Sequence, residues 1–126
     1  MGSSGVHVHH IAFRTRDLPR LLAFYQDLLG FSIMRTSPRG EWLAAGQAIL
    51  MLEHAEPGEP TVPEGCMEAV IFAIDEADRP ALLRKLASHG VSLEGSTPYS
   101  LYFRDPDGRR VGVSHYPTSS LPPIGE

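Results

Sequence analysis

The stretch HHIAFRTRDLPRLLAFYQDLLGF, residues 9–31, decides the fold. Ile11–Thr15 sets apolar side chains at alternate positions, the period of a strand with one face on a core. If Ile11 and Phe13 turn toward a helix, then His10, Ala12 and Arg14 share the opposite face. Asp17 stands where an N-cap accepts bonds from the first free helical N–H groups, and Pro19 is tolerated in the first turn. Leu18, Leu21, Leu22, Tyr25, Leu28 and Leu29 then recur at helical spacing and form one apolar stripe. Gly30 suits the left-handed position just past a helix end. The spacing therefore predicts a strand, a capped helix, and a return to strand at Ser32.

Working outward, further strands are expected at Ser32–Arg35, Glu41–Ala45 and Ala48–Glu53. The second half repeats this order. Val70–Ile74 reads as an apolar strand, Asp75 and Asp78 offer caps, and Leu82, Leu83, Leu86 and Ala87 form a helical face closed by Gly90. Gly30-Phe31-Ser32-Ile33 aligns with Gly90-Val91-Ser92-Leu93, a repeat of 60 residues. Short strands follow at Val91–Glu94, Tyr99–Phe103 and Val111–His115. Between the halves, His54–Gly65 is rich in Pro, Gly and Glu and reads as a flexible linker. In the turn Asp105-Pro106-Asp107-Gly108, proline fixes one dihedral and glycine accepts a positive φ, so the two aspartates are expected to form the turn rather than act as acid and base. The chain thus divides into module one (6–53), a linker (54–65), module two (66–117) and a flexible tail (118–126), all within one domain at 6–117. Residues 1–5, MGSSG, carry no fold argument.

Residues 23–31, AFYQDLLGF, combined with the end stretch YFRDPDGRRVGVSHYP, residues 102–117, resemble the two ends of a vicinal oxygen chelate domain. That is the superfamily of glyoxalases, bleomycin-resistance proteins and extradiol dioxygenases, and the resemblance spans His10 to Pro117. It implies an α+β fold of two βαβββ modules, a glyoxalase/bleomycin-resistance-like fold whose mixed open sheets enclose a cleft. It also implies metal-ligand positions on four strands. Here these fall on His10, Met51, Ala69 and Gly112, the last standing where a glutamate is usual. A divalent metal needs three or four N, O or S donors, and this set offers one histidine. The expectation is therefore no family-type metal and no cofactor. Glu53, two residues along from Met51, and Glu68, beside Ala69, are remote alternatives that would bring a divalent metal back. Replacement of ligands by Met51, Ala69 and Gly112 is expected to enlarge the cleft and make it more apolar.

The ligand-binding residues read from the pattern are His10, Arg14, Met51, Ser100 and Tyr102. Arg14 is a permanent cation that suits a carboxylate, phosphate or enolate oxygen, unless it forms an ion pair with an acid such as Glu53. Ser100 and Tyr102 share a strand face with Gly112. Trp42 adds an aromatic wall if its register points it the same way. His115 falls on the opposite face from Gly112 and Ser114, and His89 sits at a helix end where a cation suits the dipole.

Three functions compete on these residues. One is a metal-free protein that binds a small organic molecule. Another is a metal-dependent lyase, isomerase or dioxygenase with relocated ligands. The last is a metal-free enzyme with His10 as base and Arg14 as oxyanion stabiliser. A homodimer is expected, because open sheets have edges that invite pairing. Net charge is −4 with no basic cluster, which argues against nucleic acid. No apolar run approaches the ~20 residues of a membrane span, and the start lacks an apolar signal region, so the cytoplasm is expected. Cys66 is the sole cysteine, which excludes an internal disulfide; it reads as a bystander.

Overall fold

The computed structural model describes residues 5–118; apart from Thr118, the expected tail lies outside them. Eight strands and two helices follow the order β1 (His10–Thr15), α1 (Leu18–Ala23), β2 (Ser32–Ser37), β3 (Gly40–Ala45), β4 (Ala48–His54), β5 (Ala69–Ala73), α2 (Arg79–Ser88), β6 (Gly95–Ser96), β7 (Ser100–Arg104) and β8 (Arg110–Ser114). This is the expected α+β class, with two four-stranded mixed sheets ordered β1-β4-β3-β2 and β5-β8-β7-β6. Each sheet pairs its first and last strands in parallel and the others antiparallel. No helix among the described residues is long and apolar enough to cross a membrane.

The chain forms two compact units. Among the described residues, one contains 5–65 together with the turn Asp105–Gly108, and the other contains 66–104 and 109–118. In the first unit, Asp17 caps α1 as expected, its carboxylate accepting from the Arg20 N–H at 3.2 Å. The helix then widens into a π turn, Phe24–Leu28, before Gly30 at φ 79°. This helical stretch buries Leu18, Leu21, Phe24, Tyr25 and Leu28, and the strands bury Phe13, Leu43, Leu50 and Leu52. The turn packs here through a buried bond: the Tyr25 hydroxyl donates to Asp105 Oδ2 at 2.7 Å. Asp105 Oδ1 also accepts the Asp107 N–H at 2.9 Å, so the Asp105 carboxylate serves the turn, while the Asp107 carboxylate bonds Arg20 at 2.9 Å.

In the second unit Val70 and Phe72 are half-buried while Ala69, Ile71 and Ala73 are exposed. Leu82, Leu86, Leu101, Phe103, Val111 and Val113 complete the core. Two expectations fail here. Neither Asp75 nor Asp78 caps through its side chain; a 3-10 turn, Glu76–Asp78, leads into α2 instead. Val91–Glu94 is not a strand, and the ladder holds only Gly95–Ser96. The reason is local: the Val91 N–H donates to Leu86 O at 2.8 Å and the Gly90 N–H to Ala87 O at 3.1 Å, a Schellman closure that commits this backbone to the helix end.

The segment 54–65 has no regular structure beyond His54, yet it is fastened to its own unit. The Ala55 N–H donates to Thr15 O at 2.8 Å, and Arg16 donates to the carbonyl of Glu59.

Candidate functional site

Each sheet packs one face on its helix and leaves the other open, and strand alternation assigns the open-face residues. In the first sheet the register pairs Ala12 with Met51, Met51 with Trp42 and Trp42 with Arg35. The next row runs Arg14, Glu53, Gly40, Ser37. His10 pairs with Ile49 on the same face. Trp42 thus takes the open direction beside Met51.

Arg35 reaches this row through an irregularity. The β2/β3 register shifts between Ile33 and Arg35, so Met34 is an extra residue. Strict alternation from Ile33 would turn Arg35 toward the helix side; the bulge re-aims it. Its guanidinium carbon lies 5.0 Å from the centre of the Trp42 ring, a cation–π distance. A cavity of about 420 Å³ opens on this face, lined by Arg35, Ser37, Pro38, Arg39, Trp42, Met51 and Glu53. That volume lies in the range of small-molecule sites, roughly 300–1,000 Å³.

Arg14 forms the ion pair with Glu53 that the sequence offered as its alternative to an open anchor. Its guanidinium donates to Glu53 Oε1 at 3.1 Å and to both oxygens of Glu59, at 3.0 and 2.9 Å. Glu59, then Glu53, hold this guanidinium more firmly protonated than usual. In return the Arg14 hydrogen bond, helped by the Glu56 N–H, holds the Glu59 carboxyl down at about 2. Arg14 lines a second cavity of about 280 Å³ with Thr15, Arg16, Arg20, Pro60 and Asp107. There Arg20 is paired to Asp107 at 2.9 Å.

On the second sheet's open face, Tyr102 pairs with Gly112 and Ser100 with Ser114. Ser100 is buried, and its hydroxyl donates to Ser114 Oγ at 2.8 Å. The Arg110 guanidinium lies 4.4 Å from the Tyr102 ring centre. Arg104 and Arg110 both bond Glu94, at 2.6 and 2.9 Å, and Arg104 first, then Arg110, lowers the Glu94 pKa. His115 adjoins a cavity of about 420 Å³ with Ile71, Ala73, Ser114 and Tyr116. Its ring meets Tyr99 edge-on at 5.4 Å.

The residues do not fit a resident divalent metal. His10 is exposed, its Nδ1 3.0 Å from that of His9. Met51 is a thioether and Ala69 offers no donor. Glu53 is engaged by Arg14, and Glu68 precedes β5. Among the described residues no three His, Cys, Asp or Glu side chains converge. Gly112 does not enlarge the face as expected. A Cβ built there would lie 2.2 Å from Leu101 O and 3.1 Å from Ile71 Cδ1, so neighbouring backbone already fills the space.

Sequence reasoning missed Arg35, Arg39 and Glu59. A lone Arg beside a Met in a strand carries no bulge signal, and Glu59 meets Arg14 only through the folded chain.

Comparisons with known proteins agree with this fold. The family model "Glyoxalase/Bleomycin resistance protein/Dioxygenase superfamily" matches residues 7–113. The uncharacterized protein YaeR of Escherichia coli (strain K12) is 34% identical over 117 residues, covering 80% of this chain and 89% of its own length. The catechol-2,3-dioxygenase of Bacillus subtilis (strain 168) is 29% identical over 113 residues, or 83% of this chain. The match spans only 40% of that dioxygenase. Among solved structures, the fosfomycin resistance protein FosX of Mesorhizobium loti superposes with a TM-score of 0.75 at 18% identity, covering 90% of this chain and 94% of its own. At that identity the likeness concerns the fold.

Proposed function

The chain belongs to the glyoxalase/bleomycin resistance protein/dioxygenase superfamily, and from that premise we propose that it binds a small organic molecule on the open face of its first sheet, without the superfamily's metal. The observation that carries this reading is the cavity of about 420 Å³ lined by Arg35, Trp42 and Met51. It joins an apolar, polarisable floor to a few polar groups, the usual make-up of a small-molecule site. His10 and Arg14 belong to the rim of the same face, Arg14 as a fixed strut. Tyr102 gives the second sheet an aromatic group on its open face, beside buried Ser100.

The relocated-ligand metal enzyme finds no support in the donor set, because Glu53 is held by a guanidinium and Glu68 has no converging neighbours. A cytoplasmic homodimer is part of the reading. Each sheet ends on one side in a parallel-paired edge strand, β1 or β5, and such edges favour association.

Fragment screening by ¹⁵N–¹H NMR tests the site. The expected result is a family of organic fragments whose shifts cluster on the amides of Arg35, Trp42, Met51 and Glu53. Shifts confined to other surfaces would overturn it. Sedimentation velocity at micromolar concentration tests the assembly, and a monomer would refute that part.

A further inference from the structure

We propose that the cavity on the open face of the first sheet selects small organic acids, with Arg35 and Arg39 holding the carboxylate and Trp42 and Met51 carrying the body. The proposal rests on the binding function proposed above and names the ligand class of that site.

The charge distribution points this way. The Arg35 guanidinium makes no hydrogen bond or ion pair among the described residues, and it lies over the Trp42 ring. Arg39 engages through its backbone, N–H to Ser37 Oγ at 3.2 Å and carbonyl to the His54 N–H at 2.9 Å, while its guanidinium is unpaired among the described residues. The one carboxylate lining the cavity, Glu53, is already bonded to Arg14 at 3.1 Å. The cavity thus carries two guanidiniums without an acid partner and a single carboxylate, one oxygen of which Arg14 takes, on a chain whose net charge is −4.

The backbone points the same way. The extra residue Met34 re-aims Arg35 from the helix side onto the open face. A strand that merely needed a solvated charge would not require a bulge at that position. A guanidinium resting over an aromatic face keeps its N–H fork for a partner, and that fork matches a carboxylate in two parallel bonds. The indole and the Met51 thioether, adjacent in the register, give a flat or aliphatic body an apolar floor.

The chain has one tryptophan, so the Trp42 indole N–H is a unique reporter of this cavity. We would titrate the ¹⁵N-labelled full chain with matched acid and amide pairs, benzoate with benzamide and cyclohexanecarboxylate with cyclohexanecarboxamide, at constant ionic strength. Each acid should move the indole cross-peak at roughly tenfold lower concentration than its amide, the scale of a charge-assisted bond. Arg35→Gln should remove that preference, Arg35→Lys should restore only part of it, and Arg39→Gln should reduce it. Arg35 and Arg39 are exposed, and the remaining cross-peaks report whether each variant keeps its fold. Equal binding of acid and amide, or a preference that survives Arg35→Gln, overturns the acid selectivity while leaving a ligand site in place. No indole shift with any acid or amide, while other fragments bind elsewhere, overturns the site and the selectivity together.

Discussion

Replacing Gly112 by alanine should destabilise the second unit by an amount that can be worked out from the backbone. Gly112 is buried on β8, which is paired on both sides, to Ile71 of β5 and to Tyr102 of β7. A Cβ there would meet Leu101 O at 2.2 Å, more than 1 Å inside the roughly 3.5–4.0 Å optimum of heavy-atom contacts. Ile71 Cδ1, at 3.1 Å, can swing away, but a carbonyl in a ladder cannot. The strands must part, and overpacking of that kind costs about 1–3 kcal/mol. Strained ladder bonds add about 0.5–1.5 kcal/mol each. A loss of about 3 kcal/mol in a domain of this size should lower the melting midpoint by about 10 °C. Gly95→Ala is the control in the same sheet, since its Cβ would touch only the Tyr102 ring, at 3.8 Å. It should fall within about 0.5 kcal/mol of the parent. Circular dichroism melts of the two variants decide the matter. If Gly112→Ala melts with Gly95→Ala, the close approach is not a constraint. The same geometry says that Gly112→Glu cannot simply restore a ligand at this position.

Three further outcomes are expected. The Glu59 carboxyl, followed by ¹³C NMR, should titrate near 2, and Arg14→Gln should return it toward 4.5; because the folded value is the depressed one, the stabilisation is complete above about 4.5 and disappears as pH falls toward 2, and a parent midpoint near 4.5 would refute the pairing. Tyr25→Phe should cost about 1–3 kcal/mol in chemical denaturation, since it removes a donor from buried Asp105; an unchanged midpoint would count against that bond. Protein incubated with manganese, nickel or zinc and then desalted should retain far less than one equivalent, whereas one equivalent lost on His10→Ala would show a ligand set that the donor geometry denies.

What the sequence revealed is what local chemistry controls. The Asp17 cap, the leucine stripe of α1 and Gly30 at φ 79° each depend on neighbours within a turn. What stayed hidden depends on distant partners. The bulge at Met34 has no glycine or proline to mark it, and only the ladder with β3 reveals it. Arg14 could be read as anchor or strut until Glu59, 45 residues away, was seen to take it. Val91–Glu94 was expected as a strand, but its first N–H is used to close α2.

A metal and an arginine pair are alternative answers on one sheet face. A bound divalent ion polarises substrate oxygens with positive charge, and it needs donors that point inward from several strands. This chain has Met51 where the resemblance places one donor, and at Gly112 the backbone leaves no room for another. Positive charge is nevertheless present on the open face, carried by Arg35 and Arg39. A guanidinium stays charged throughout the pH range in which proteins work, whereas a histidine ligand must lose its proton before it binds a metal. Acid recognition of this kind should therefore follow the ionisation of the ligand rather than that of His10.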